Sequence, residues 1–261
     1  MSTYQFIRVE IKENVLWISL NRSDVRNAFN DQMISELRRV MADIRTNPHL
    51  KVMVLTGLGK AFCAGADLSW MKKVVDYDYD DNVRDSLELA NLLWDIEDLA
   101  IPTIARVQGP AVGGGVGLVA VCDIALASEK AWFSLAEVKL GLAPAVISPF
   151  LLRKIGDRLC RELFLTGKRV SALKAKEIGL VNDIMPSEQL DLLVEQNINL
   201  LQTSSPHAIA ACKNLLRVIP YLEKAKIKEF TAHTIAQLRM SPEGQEGMKA
   251  FLEKRNPNWI T

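Results

Sequence analysis

Strand-like and helix-like stretches follow one another along this chain in a loosely repeated order, and that order limits the available folds more than any single motif does. Near the start, TYQFIRVEI, a polar KEN break and VLWISL alternate as a hairpin does. DQMISELRRVMADIRTN then carries Ile34, Leu37, Val40, Met41 and Ile44 on one helical face, with Asp31 as N-cap. KVMVLTG follows as a short buried strand, NVRDSLELANLLWDIEDL as a helix, IPTIARV as a strand and DIALASEKAWF as further strand. Continuous apolar strands need cover on both faces, so the pattern predicts an α/β arrangement with helix-covered sheets, and an open doubly wound sheet satisfies it equally. From SPFLLRKIG onward helical patterns dominate, with LVNDIM the one extended stretch. Ser205-Pro206 and Ser241-Pro242 read as N-cap and first-turn pairs, so the segment from about residue 200 is expected to be helical and a candidate for oligomer contacts.

The 261 residues, 49% hydrophobic and 24% charged, suffice for a sizeable core without staples. A formal charge of +1 supplies no overall field to gather nucleic acid or an anionic membrane. Cys63, Cys122, Cys160 and Cys212 form no CxxC pair and suit buried, reduced thiols. His49, His207 and His233 are isolated and offer no metal-ligand spacing. The first twenty residues have no basic region ahead of an apolar one and no segment is a membrane-spanning run, so a cytoplasmic protein is expected.

Two small-residue turns stand out, FCAGADLSWM at 62–71 and GPAVGGGVGL at 109–118. Each follows a strand-like run and precedes a helical one, where free N–H groups become donors for an anion or oxyanion and glycine lets a ligand approach the backbone. A dinucleotide loop does not fit the second turn, since the third glycine of GxGxxG is missing and no Walker lysine follows. Tight helix-strand packing remains the alternative use of these glycines. Downstream, Glu137 stands in the locally apolar WFSLAEVKLGL, where it reads as an exposed glutamate or as a site acid.

FCAGADL, GPAVGGGVGL with VCDIALAS behind it, and AEVKLGL together resemble, in order and spacing, the signature regions of the crotonase, or enoyl-CoA hydratase/isomerase, superfamily. The resemblance runs from the first hairpin to FLEKRNPNW. It implies an α/β, crotonase-like spiral of β-β-α units over residues 1–200, carrying the active site. Residues 201–261 would form a helical C-terminal trimerisation region, giving a homotrimer or a dimer of trimers. Within the superfamily AGADLSWM, GLAPAVISPF and SPEGQEGMKAFLEKRNP are similar to bacterial methylglutaconyl-CoA (carboxygeranoyl-CoA) hydratases of leucine and acyclic-terpene breakdown. The substrate implied is an acyl-CoA thioester; coenzyme A is part of that substrate, and no separate cofactor or metal is implied.

By the same resemblance Glu137 is the catalytic acid/base, and the N–H groups of Ala64 and Gly114 form the oxyanion hole. Arg26, Ala28, Lys60, Ala66, Asp67 and Leu68 fall on the CoA path, Gly113, Gly117 and Leu142 beside the acyl group, and Phe251 and Lys254 within reach of a neighbouring subunit's ligand. Trp70, Met71 and Tyr77 either line an acyl pocket or pack, with packing favoured for Met71.

One departure matters. Well-known hydratases of the superfamily hold water between two glutamates, and the first of these positions is Gly117 here. Either Glu137 works alone, with the free carboxylate of a glutaconyl substrate expected in the space at Gly117, or the chain is an isomerase moving one proton between C2 and C4. The GLAPAV loop, with Ala145, lacks the aspartate of dienoyl isomerases and aryl-CoA dehalogenases. RNA binding has little support, since Lys72 and Lys73 are followed by the acidic VVDYDYDD. An inactive crotonase fold is the remaining alternative.

Overall fold

The computed structural model describes residues 4–45 and 47–260; Thr3 of the first strand reading and Thr46 of the first helix reading lie outside them. In chain order the elements are β1 (Ile7–Lys12), β2 (Val15–Leu20), α1 (Asp31–Ile44), β3 (Val52–Gly57), α2 (Leu68–Val74), α3 (Tyr79–Glu97), β4 (Thr103–Val107), β5 (Ala111–Val112) and α4 (Gly114–Val121). They continue with β6 (Ile124–Ser128), β7 (Trp132–Ser134), α5 (Ser148–Thr166), β8 (Arg169–Ser171), α6 (Ala172–Glu177), β9 (Asp183–Met185), α7 (Leu190–Gln202), α8 (Pro206–Val218), α9 (Lys224–Met240) and α10 (Pro242–Leu252).

The opening hairpin turns on Glu13 and Asn14, whose φ values of 47° and 66° give the left-handed two-residue turn that matches strand twist. The first helix starts one residue earlier in its cap than expected. Asn30, not Asp31, caps α1, its Oδ1 accepting from the Met33 N–H at 2.9 Å, while Asp31 opens the first turn at the positive end of the helix dipole.

Six strands form one sheet in the order β1-β2-β3-β4-β6-β9, antiparallel only between β1 and β2. The unbroken apolar run of β3 follows from cover on both faces: Met53 and Leu55 join the large core with α1, α3 and α4, while Val52 and Val54 pack with Leu190, Val194 and Ile198 of α7. DIALASEKAWF is not one strand but two, broken by a turn in which the Ala131 N–H donates to the Ser128 carbonyl. After that break the chain leaves the first sheet for a second, β5-β7-β8. The units β4-β5-α4 and β6-β7-α5 thus place one strand in each sheet before a helix, which is the spiral of β-β-α units and not an open doubly wound sheet.

Both small-residue turns leave the C-terminal ends of parallel strands, β3 and β4, where α/β folds gather their sites. The C-terminal layer is helical, and the two serine-proline starts hold: Ser205 accepts from Ala208 N–H and Ser241 from Gly244 N–H, each at 3.0 Å. No residue of α8 or α9 is buried. Among the described residues no helix is long and apolar enough to cross a membrane. Cys63, Cys122 and Cys160 are buried as expected, whereas Cys212, on α8, is exposed.

Candidate active site

The two turns abut. Cys63 bridges to Ala111, its carbonyl accepting from the Val112 N–H at 2.9 Å, and a methyl group on Gly65 would lie 3.2 Å from the Val112 carbonyl oxygen. At the end of the second turn Gly113 takes φ 52°, ψ −121°, a conformation that favours glycine, and its carbonyl starts α4 by accepting from Val116 and Gly117 N–H.

Glu137 stands directly against this helix start. A methyl on Gly113 would sit 3.0 Å from Glu137 Oε1, so a side chain there would crowd the carboxylate, and the φ of 52° favours glycine independently. Glu137 Oε2 is buried and has no hydrogen-bond partner among the described residues. Burial raises its carboxyl pKa above the ordinary 4.5, with its own backbone N–H opposing the shift. An unpartnered carboxylate oxygen costs free energy to keep, and such groups concentrate where protons are moved.

The donors differ from those expected. The Ala64 N–H is spent on the Arg26 carbonyl at 3.0 Å, held there by Arg26 and Asn27, both left-handed at φ 56°. The Ala66 and Gly114 N–H groups have no acceptor among the described residues, and Ala66 is exposed. Ala66, expected on the CoA path, thus carries an N–H without an acceptor among the described residues, whereas the N–H of Ala64, expected in the oxyanion hole, is taken. The two free donors come from the abutting turns, one of them the first residue of a helix, which is where an oxyanion would be met.

Gly117 also departs from expectation. It opens no space, because a methyl on it would fall 3.1 Å from Ile147 Cβ, closer still to Ile147 Cγ2, and 3.7 Å from Leu93 Cδ1. Ile147 is 2% exposed. A substrate carboxylate cannot occupy a volume already filled by an isoleucine.

Two residues expected on the CoA path, Ala28 and Asp67, are both held by Arg22. Its Nη1 donates to the Ala28 carbonyl at 2.7 Å, its Nη2 lies 2.8 Å from Asp67 Oδ2, and its guanidinium sits 4.7 Å from the Phe6 ring centroid. Asp67 is buried and caps α2, accepting from Ser69 N–H and hydroxyl and from Trp70 N–H; the Ser69 bonds, then Arg22, hold its carboxyl down at about 2. Arg26, Lys60 and Leu68 are exposed, and Leu142 donates its N–H to the Glu137 carbonyl at 3.0 Å. Phe251 and Lys254 are exposed at the end of α10, which packs against α9 and is tied to the start of α8 by Glu243, accepting from the Ser205 hydroxyl and the His207 N–H. Trp70 packs, donating Nε1 to Asp85 Oδ1 at 3.0 Å, while Met71 and Tyr77 are half-buried.

Arg22, Asn27 and Ile147 escaped the sequence reading. Asn27, fully buried, donates to the Leu58 and Ala61 carbonyls and accepts from Arg22 N–H. The tolerance of asparagine for left-handed backbone, two residues before the phenylalanine of RNAF, is the one signal that could have marked this turn.

A family model described as enoyl-CoA hydratase/isomerase matches residues 10–261. The 2,3-dehydroadipyl-CoA hydratase of Escherichia coli is 33% identical over 258 residues, covering 96% of this chain and 97% of that protein. Among solved structures, an enoyl-CoA hydratase from Shewanella pealeana superposes with TM-score 0.95 at 40% identity, covering 98% of this chain and 96% of its own. Pseudomonas aeruginosa AtuE superposes with TM-score 0.95 at 34% identity, covering 98% and 100%.

Proposed function

The chain belongs to the enoyl-CoA hydratase/isomerase family, and from that premise we propose that it adds water across the C2=C3 bond of an enoyl-CoA thioester with Glu137 as its one proton carrier. The observation that carries this reading is the buried Oε2 of Glu137, without a hydrogen-bond partner among the described residues, beside the glycine start of α4.

The thioester oxygen accepts from the Ala66 and Gly114 N–H groups, which draws electron density from C3. Glu137 takes a proton from water as the water oxygen bonds to C3, and the π electrons move onto the thioester as an enolate. The carboxyl then returns its proton to C2 as the enolate collapses, so water has been added and Glu137 is again a carboxylate. Each oxyanion donor is worth roughly a hundredfold to a thousandfold in rate, and a positioned base about a hundredfold to ten-thousandfold.

For the acyl group we propose 3-methylglutaconyl-CoA or a similar carboxylated, branched enoyl-CoA. Its support is the similarity of AGADLSWM, GLAPAVISPF and SPEGQEGMKAFLEKRNP to hydratases of that class, together with a relative whose name assigns it a dicarboxylic acyl chain. The substrate carboxylate would lie elsewhere than at Gly117. Steady-state rates on 3-methylglutaconyl-CoA and crotonyl-CoA test the assignment: at least a tenfold higher kcat/KM for the former is expected, and equal rates would overturn it.

One observation favours a second reading. With Ile147 filling the place of a second carboxylate, Glu137 could equally shuttle a proton between C2 and C4. Incubation with a 3-enoyl-CoA decides this: conjugated product formed faster than the same product takes up water means isomerase.

Arg26, Lys60, Leu68 and Leu142 are proposed along the CoA and acyl path, and a homotrimer or dimer of trimers is proposed through residues 201–261. Exposed Leu216, Tyr221, Met240, Phe251 and Leu252 on the helical layer support the latter. Phe251 and Lys254 would then reach a neighbouring ligand. Sedimentation analysis would show a monomer if this is mistaken.

A further inference from the structure

Phe29 touches the segments of both free donors. Its N–H donates to the Gly65 carbonyl at 2.7 Å and its carbonyl accepts from the Asp67 N–H at 2.8 Å, so its backbone grips the chain on either side of Ala66. In a parallel bridge of this kind the middle residue's N–H faces away from the partner strand. The grip therefore leaves the Ala66 N–H pointing outward. On the other side the ring lies against Gly114: a methyl there would be 3.0 Å from Cε2 and 3.2 Å from Cδ2, with Leu89 Cδ2 of α3 next at 3.8 Å. Phe29 is 1% exposed and packed into the main core, so the ring is a fixed stop.

We infer that Phe29 is a positioning residue that sets the separation and angle of the Ala66 and Gly114 N–H groups, its backbone holding one and its ring bracing the other. The inference rests on the reading that these two groups bind the thioester oxygen. Shortening the side chain leaves both backbone bonds at Ala66 in place and removes the brace from Gly114. Donor geometry matters steeply, since a misplacement of about 1 Å can cost on the order of a hundredfold in rate.

The test compares wild type, Phe29→Leu and Phe29→Ala on two ligands, acetoacetyl-CoA and an S-alkyl-CoA thioether of equal length that lacks the thioester carbonyl. The infrared carbonyl band of the bound thioester and steady-state kinetics are followed in parallel. The expected result for Phe29→Ala is a kcat/KM on crotonyl-CoA lower by about tenfold to a hundredfold. Thioester affinity falls, thioether affinity holds and the carbonyl band shifts less than in wild type, with Phe29→Leu intermediate and decisive should Phe29→Ala not fold. Variants that discriminate between the ligands as wild type does, or that lose affinity for both alike, overturn the role of Phe29 and leave the donor reading standing. A wild type that binds both ligands equally, with an unshifted carbonyl band, overturns the donor reading itself.

Discussion

The side chain of Ile147 occupies the volume into which any side chain on Gly117 would project, its Cβ 3.1 Å from the position of a methyl group there. The space beside Gly117 is thus filled by packing and holds no gap. Gly117→Ala is expected to destabilise the chain by about 1–3 kcal/mol through overpacking. Ile147→Ala, costly alone, should cost less in the Gly117→Ala background, with a coupling of about 0.5–3 kcal/mol. Urea denaturation of the four proteins checks this, and strictly additive effects would show that the two residues do not compete for one space.

Glu137 should be a liability for stability. Burial raises its folded carboxyl above 4.5, so over the interval above that value the folded chain holds a proton the unfolded chain has released. Stability due to this group therefore falls as pH rises from about 4.5 through the raised folded value, and stays lower beyond it. Glu137→Gln escapes that loss. Thermal unfolding across pH should find the variant more stable than wild type at pH 7, with the difference shrinking below pH 4.

Asp67 carries the opposite sign. Its folded carboxyl is held at about 2 against 3.8 when free, so its contribution is full above about 3.8 and is lost as pH falls toward 2. The acid-side slope of unfolding free energy should flatten in Asp67→Asn. Removing the partner by Arg22→Met leaves the buried Asp67 charge without its cation and should cost about 3–5 kcal/mol, read by denaturant titration at neutral pH.

Apolar periodicity and turn chemistry made much of this fold legible. Met53 and Leu55 against Val52 and Val54 explain why β3 reads as an unbroken run, and the serine-proline pairs mark α8 and α10 because cap and first-turn demands are local. Glu137 and Gly114 stood out in the sequence because their settings are short and continuous. That the Ala64 N–H is taken and the Ala66 N–H is not was hidden, because residue type cannot say which N–H a distant carbonyl takes; that depends on Arg26. Ile147 was hidden for the same reason, since its contact with Gly117 spans two elements. The hold of Arg22 on Asp67 was hidden as well, the two being distant in sequence.

Turnover of 3-methylglutaconyl-CoA by wild type and by Glu137→Gln tests most directly whether one carboxylate carries the chemistry. Hydration by the wild type and a kcat lower by about a hundredfold to ten-thousandfold in the variant, with the CoA ligand still bound, is the result this account requires. A Glu137→Gln enzyme that hydrates at near the wild-type rate would contradict it and place the proton carrier on another residue.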